Sequence, residues 1–340
     1  MPWSKIKIED KPLDSGEGRL LNYPEAMNEA FCQILGNDPR VIVMGQGVDD
    51  FKGIFGATKD LHLKFGHQRA FDTPLSENGL TGVAVGMAIT GLRPIYCHNR
   101  PDFLLLTLDQ IVNHAAKWQL MFGGKSTGVP LVIWSCVGRG WGSACQHSQA
   151  LHNAFLHYPG LKIVVPSSPY DSKGLLISAV KDNNPVLFFE HRFNFKYPGH
   201  VPQEMYAIPF GKGATCRQGT DLTIVAVSHI VNDLKKVVGD YNQASLELID
   251  LRTIKPIDKE LIFKSVSKTG RLLVVDSAWE TQGLGNYVIS LVAMEGIPLK
   301  SKPRILANPD VYTPSGYTLE QEFYLDDNKI LASIAACLAP

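Results

Sequence analysis

Short apolar, β-branched runs alternate along this chain with longer stretches of helical period, and no other feature restricts its fold so narrowly. Parallel strands cannot be joined by a tight turn. Each pair needs a crossover that packs back on the sheet, so this alternation is what βαβ units look like in sequence. A first series of strand-like runs covers Arg40 to Met44, Pro94 to Cys97, Pro130 to Cys136, Lys162 to Pro166 and Pro185 to Glu190, with helical candidates at Leu80 to Thr90, Leu108 to Met121, Ser148 to His157 and Ser172 to Lys181. From Arg192 to Gly213 the pattern lapses into aromatic, Pro- and Gly-punctuated sequence that reads as a linker. A second series follows, with strands at Leu222 to Val227, Leu246 to Leu251 and Leu272 to Val275, helices at Val231 to Val238, Lys259 to Val266 and Gly285 to Met294, and a closing helix within Leu319 to Leu338. The expected fold is two three-layer α/β domains with mostly parallel sheets, residues 20–200 and 201–340, behind an N-terminal extension of residues 1–19.

The 340 residues, 45% of them hydrophobic and 19% charged, suffice for two such domains at about 150 residues each. Lys plus Arg and Asp plus Glu both number 33, so there is no electrostatic reason to expect nucleic acid or an anionic membrane as a partner. The six cysteines form no C-x-x-C pair and no zinc-like spacing, which suggests a reducing compartment. The opening residues are polar and mixed in charge, unlike a secretory or transit signal, and no apolar run approaches the ~18 residues of a membrane span. The expectation is a cytoplasmic protein whose partners are small molecules and other proteins.

The glycine clusters do not match phosphate-binding fingerprints. Gly45-Gln46-Gly47 lacks the third glycine, Gly123-Gly124-Lys125-Ser126 lacks the earlier glycine of a P-loop, and Gly138 to Gly142 follows a strand in the wrong pattern. The most informative stretch is Asp72-Thr73-Pro74-Leu75-Ser76-Glu77-Asn78-Gly79. Pro74 forces an extended approach, Ser76 suits an N-cap, and Glu77 falls in the first turn of the helix that follows. From these residues alone, Glu77 either complements the helix dipole or serves chemistry.

The run DTPLSENGLTGVAVGMAITGLRP, followed by DQIVNHAAKW, QHSQA, YPGLKIVVPSSPYDSKGLL, AVKDNNPV and IDLRTIKPID, resembles the beta subunit of the decarboxylase component of 2-oxoacid dehydrogenases, of pyruvate and branched-chain type, within the transketolase-like thiamine diphosphate (ThDP) superfamily. The blocks occur in order between about Leu20 and Leu338, so the resemblance covers nearly the whole chain. It implies a ThDP pyrimidine-binding domain followed by a transketolase C-terminal domain. Glu77 then matches the glutamate that sits against the cofactor's aminopyrimidine ring and exchanges a proton with it. Leu75 and Phe103 become cofactor contacts, a flat side chain suiting a flat ring. His147 matches a histidine at the active-site entrance associated with acyl transfer to a lipoyl arm.

Two places depart from the family pattern. His98 to Asp102 replaces a mostly apolar and aromatic stretch, and Arg139 and Trp141 stand where smaller residues are usual. His98 and Arg139 are therefore candidate substrate contacts, an arginine suiting a carboxylate or phosphate. The resemblance also points to a structural potassium ion held by Leu131, Ala179, Val180, Asp182 and Asn184, although an ordinary helix exit stopped by Pro185 has the same sequence. The GDG motif that holds the ThDP diphosphate through Mg2+ has no counterpart here, and in the family it lies on the alpha subunit. The resemblance thus implies an α2β2 assembly that decarboxylates a small 2-oxo acid and passes the acyl unit to the lipoyl domain of an acyltransferase. Two rival expectations are a split transketolase or acyloin-forming enzyme with an aldehyde acceptor, and a non-catalytic assembly subunit.

Overall fold

A computed structural model describes residues 2–9, 18–140 and 142–339; residues 10–17 of the expected N-terminal extension and Trp141 lie outside the described residues. The strands of the first series are β1 Val41–Gly45, β2 Ala70–Phe71, β3 Arg93–His98, β4 Val132–Val137, β5 Lys162–Val164 and β6 Val186–His191. Those that follow are β7 Ala214–Arg217, β8 Leu222–Ala226, β9 Leu246–Asp250, β10 Thr253–Lys255, β11 Leu272–Trp279 and β12 Arg304–Asn308. The first sheet has the order β10-β5-β6-β4-β3-β1-β2 and the second β7-β9-β8-β11-β12. All neighbours are parallel except β10 on β5 and β7 on β9. Every residue of β1, β3, β4 and β6 is buried, which is why these strands read as continuous apolar runs without alternation.

The longer helices are α1 Tyr23–Asn37, α2 Glu77–Ile89, α3 Pro169–Lys181, α4 Ile230–Asp240, α5 Lys259–Thr269, α6 Leu284–Met294 and α7 Asp327–Leu338. Helix α1 carries a full capping box. Asn22 Oδ1 accepts from the Glu25 backbone N–H at 2.9 Å, and Glu25 Oε2 accepts from the Asn22 N–H at 2.8 Å. Ser168, Asp258 and Asp326 cap α3, α5 and α7 in the simpler way. Helices α1 and α3 share one face of the first sheet, in a core that includes Tyr23, Phe31 and Trp134. The core on the opposite face is continuous across both sheets, with Ile163 and Phe189 from one and Val225, Ile249 and Val274 from the other.

Helical periodicity misleads in two places. Leu108 to Met121 is not one α-helix: a 3-10 segment Pro101–Thr107 leads into a π-helix Asp109–Ala115 and a short α-helix Trp118–Met121. Ser148 to His157 contains only the 3-10 turn His152–Phe155. The expected closing helix is two, Tyr317–Phe323 and α7, parted at Tyr324 to Asp326. The expected linker is held against the N-terminal segment by two small ribbons, Arg19–Leu21 with Gly199–Val201 and Lys7–Ile8 with Tyr206–Ala207. No helix among the described residues is long and apolar enough to cross a membrane.

After β9 the chain crosses to the first sheet and adds β10 to its edge. Arg252, at the crossing, is 1% exposed and has a φ of 59°. Its Nε lies 2.7 Å from Asp171 Oδ1 on α3, and its backbone N–H donates to Asp250 Oδ1 at 2.9 Å. Ser167 donates to the other Asp250 oxygen. Lys255 then donates to the Leu156 and Tyr158 carbonyls at 2.7 and 2.6 Å. Replacing Arg252 by Met leaves two acidic side chains buried without their cation, so unfolding free energy should fall by about 3–5 kcal/mol in a urea titration. Adding Asp171→Asn should recover part of the loss if uncompensated charge is the cause.

Candidate active site

Strands β1 and β3 are sheet neighbours, yet the chain visits β2 on the far side between them, so the direction of winding reverses at this point. Loops leaving the carboxyl ends of parallel strands diverge at such a reversal and open a crevice. A cavity of about 630 Å³ occupies it. Gln46 comes from the end of β1, Glu77 from the segment after β2, His98 to Phe103 from the end of β3, and His147 from the loop after β4.

Glu77 is the first residue of α2. Ser76 occupies the N-cap position, but its hydroxyl makes no capping hydrogen bond, and Leu75 beside it is 75% exposed. Thr81 binds the Glu77 backbone carbonyl at 2.7 Å and leaves the carboxyl group to the cavity. Burial, and after it the charge of Glu77, push the Tyr96 phenol up to about 12, so Tyr96 faces the cavity as a neutral donor.

His98 is fully buried, with Nε2 3.3 Å from Thr81 Oγ1 and its ring 4.3 Å from that of Tyr96. Burial lowers its pKa to about 3, which keeps the imidazole neutral. Phe103 meets the His147 ring edge-to-face, with centroids 5.3 Å apart. Asp102 holds the His147 loop in place, Oδ1 accepting from Gln149 Nε2 at 2.7 Å. Burial raises the Asp102 pKa, and the Gln149 hydrogen bonds and the charge of His147 oppose that rise. Gly138 is needed for this packing, because a Cβ there would stand 2.1 Å from the His147 carbonyl and 2.9 Å from Arg100 Nε.

The cavity brings together Glu77, Leu75, His98, Phe103 and His147, but Arg139 does not line it. The Arg139 guanidinium is stacked between the rings of Phe193, at 4.1 Å, and Tyr324, at 3.7 Å, and Nη1 donates to His229 Nε2 at 2.8 Å. Burial lowers its pKa to about 10. It ties the first sheet to the C-terminal half, as does Gly140, whose N–H donates to Glu320 at 2.8 Å. The segment expected to hold potassium is contacted by the Arg93 side chain. Arg93 Nη1 donates to the Val180 and Asp182 carbonyls at 2.7 and 3.0 Å, and Nη2 to Asn183 Oδ1 at 2.5 Å. The Asp182 carboxylate pairs with Lys162, the Leu131 carbonyl accepts from Val186 N–H at 2.9 Å, and Ala179 and Asn184 lie within the same segment. The Val180, Asp182 and Leu131 carbonyls thus each accept a hydrogen bond from within the chain.

Sequence reasoning did not single out Tyr96, Asp102 or Glu190. Glu190 on β6 is 1% exposed, and burial drives its carboxyl up to about 8, an effect that the charge of Arg100 only partly offsets. A charged residue directly after the apolar run Val-Leu-Phe-Phe was the available signal.

Residues 20–198 match the family profile described as transketolase, pyrimidine binding domain, and residues 211–330 that of the transketolase C-terminal domain. Over 330 residues the chain is 38% identical to the acetoin:2,6-dichlorophenolindophenol oxidoreductase subunit beta of Bacillus subtilis (strain 168), covering 92% of this chain and 96% of that one. It is 38% identical over 315 residues to the pyruvate dehydrogenase E1 component subunit beta of Porphyra purpurea, covering 91% and 94%. To the 2-oxoisovalerate dehydrogenase subunit beta of Bacillus subtilis (strain 168) it is 35% identical over 320 residues, covering 93% and 98%. Among solved structures, a split gene transketolase described as an inactive beta4 tetramer shares the fold, with a TM-score of 0.74 at 18% identity over 95% of this chain and 99% of that one.

A raised carboxyl pKa means that the folded state holds a proton more tightly than the unfolded chain. The Glu190 contribution to stability is therefore fully present below its unfolded pKa of about 4.3 and is lost as pH rises towards 8. Glu190→Gln should melt progressively higher than the unmodified chain as pH is stepped from 5 to 8. A constant difference in melting temperature across that window would show that Glu190 does not titrate there.

Proposed function

This chain belongs to the transketolase family, and on that footing we propose that it is the beta subunit of a ThDP-dependent enzyme that decarboxylates 2-oxo acids and works only with an alpha chain. The observation that carries this reading is the Glu77 carboxyl, placed at the first turn of α2 and lining a cavity walled by Tyr96, Phe103 and His147. A carboxyl group, an aromatic face and a phenol at one opening suit an aminopyrimidine ring. The pyrimidine-binding domain corresponds to residues 20–200 and the C-terminal domain to residues 201–340.

When bound, ThDP supplies a thiazolium carbon that adds to the substrate carbonyl and accepts the electron pair left as carbon dioxide departs. Glu77 holds a proton at the pyrimidine ring nitrogen and exchanges it. Phe103 and Leu75 provide apolar contact for the ring, and Tyr96 excludes water as a neutral neighbour. His147, positioned by the Asp102–Gln149 contact, moves a proton at the cavity mouth when the acyl group leaves. The diphosphate and its Mg2+ belong to the alpha chain, in an α2β2 assembly that a lipoyl acyltransferase serves.

A second reading keeps the cofactor and changes the reaction to formation or cleavage of an acyloin. Two relatives at 38% and 39% identity over 330 residues are acetoin oxidoreductase beta subunits, which favours it. Supplying the reconstituted complex with a lipoyl domain in one assay and an aldehyde in another separates the two.

Glu77→Gln, reconstituted with the alpha chain, should lose roughly 100- to 10,000-fold in turnover with its circular dichroism spectrum unchanged. Wild-type turnover in that variant would remove Glu77 from the mechanism. Calorimetric titration of ThDP and Mg2+ should give heat only when the alpha chain is present. Tight binding by this chain alone would place the diphosphate site here.

A further inference from the structure

Arg139 is enclosed between aromatic rings, and the cationic side chain that does reach the cavity is Arg100. It is half-buried at the end of β3. Its Nη1 donates to the Asn99 carbonyl at 2.7 Å, its guanidinium lies 5.1 Å from the Phe55 ring centre, and its Nε abuts Gly138. The group is thus fixed in the wall, not trailing into solvent. Among the described residues it has no ion pair. The buried carboxyl whose field it feels, Glu190, is held protonated near neutral pH, with a pKa of about 8. Burial, and after it the charge of Arg100, depress the Arg192 pKa, which places the two guanidinium groups within reach of each other's field. A fixed, partly desolvated cation without a counter-charge is costly unless a ligand supplies the anion.

We propose that Arg100 selects substrates carrying an anionic oxygen group, a carboxylate or a phosphate-type group, that is retained through the reaction. This selection rests on the beta-subunit reading and narrows its substrate class to 2-oxo acids with a second negative charge. The carboxylate that leaves as carbon dioxide is a poor partner for Arg100. It loses its charge in the transition state, so a permanent cation on it would stabilise the ground state more and slow the step. A group that keeps its charge is bound equally before and after, which contributes affinity and discrimination without opposing the chemistry.

The test uses the complex of this chain with its alpha partner, ThDP and Mg2+. The ratio of kcat/KM for dianionic over monoanionic substrates is measured with 2-oxoglutarate and 2-oxoadipate against 2-oxobutanoate and 2-oxopentanoate. A phosphonate arm uses 2-oxo-4-phosphonobutanoate. In the unmodified complex the ratio should favour one dianionic class, and which arm wins identifies carboxylate or phosphate-type chemistry. Arg100→Met should lower that ratio by about 10- to 100-fold, chiefly through KM, and Arg100→Lys should restore part of it. A ratio near one in the unmodified complex, or an equal loss on all substrates in Arg100→Met, overturns the proposal. Calorimetry with glutarate, inorganic phosphate and acetate as probes reads Arg100 without turnover. Glutarate or phosphate should bind the unmodified complex and lose affinity in Arg100→Met; identical binding in the two overturns the proposal. Failure of the parent reading looks different: the complex neither binds ThDP nor decarboxylates any 2-oxo acid, whatever stands at residue 100.

Discussion

Parallel pairing in the middle of the first sheet is the constraint from which the site follows. Gly45 lies opposite Cys97 and, one strand on, His98 lies opposite Ser135, so β1, β3 and β4 end at one edge within a residue or two of each other. Parallel strands put their carboxyl ends together, and the reversal of winding between β1 and β3 makes the loops there part. Glu77, Arg100, Phe103 and His147 are distant in sequence but share that edge for this reason alone. No local motif could assemble them; the ladder does.

The site's electrostatics depend on which acids and bases the fold permits to be charged. Burial silences His98 and pushes Tyr96 and Glu190 towards their neutral forms, while Glu77 stands at an opening and Arg100 in a wall. Glu77 and Arg100 are thereby an acid and a base that line the cavity without being silenced by burial. The Phe103–His147 contact and the Asp102–Gln149 bond then set the position of the imidazole.

Much of this was legible in the sequence, and the exceptions have physical causes. Buried parallel strands announce themselves as short β-branched runs, and Pro74 with Ser76 marked the start of α2, although the Ser76 hydroxyl makes no cap. Helical period was a poor guide over Leu108 to Met121, since apolar spacing does not reveal where the backbone passes from 3-10 to π and then to α hydrogen bonding. Arg139 could not be told from Arg100 by inspection. Its partners, Phe193, His229 and Tyr324, lie far along the chain, and only their convergence removes its charge from the cavity. The same holds for Arg93, whose partners around Val180 to Asn183 appear in sequence as an ordinary helix exit.

Strand β10 bears on how the molecule can move. It belongs by sequence to the C-terminal half and by hydrogen bonding to the N-terminal sheet, with Thr253 opposite Val164. To separate the halves, the ladder at that edge would have to break together with the Arg252–Asp171 pair, the Lys255 contacts and the bond between His152 Nε2 and Asp276 Oδ1, which is 3.0 Å long. Two modules recognisable as separate in ancestry are therefore a single mechanical body. Parting the two sheets would cost all of these contacts at once, so gating of the cavity is cheaper at the loops on its rim.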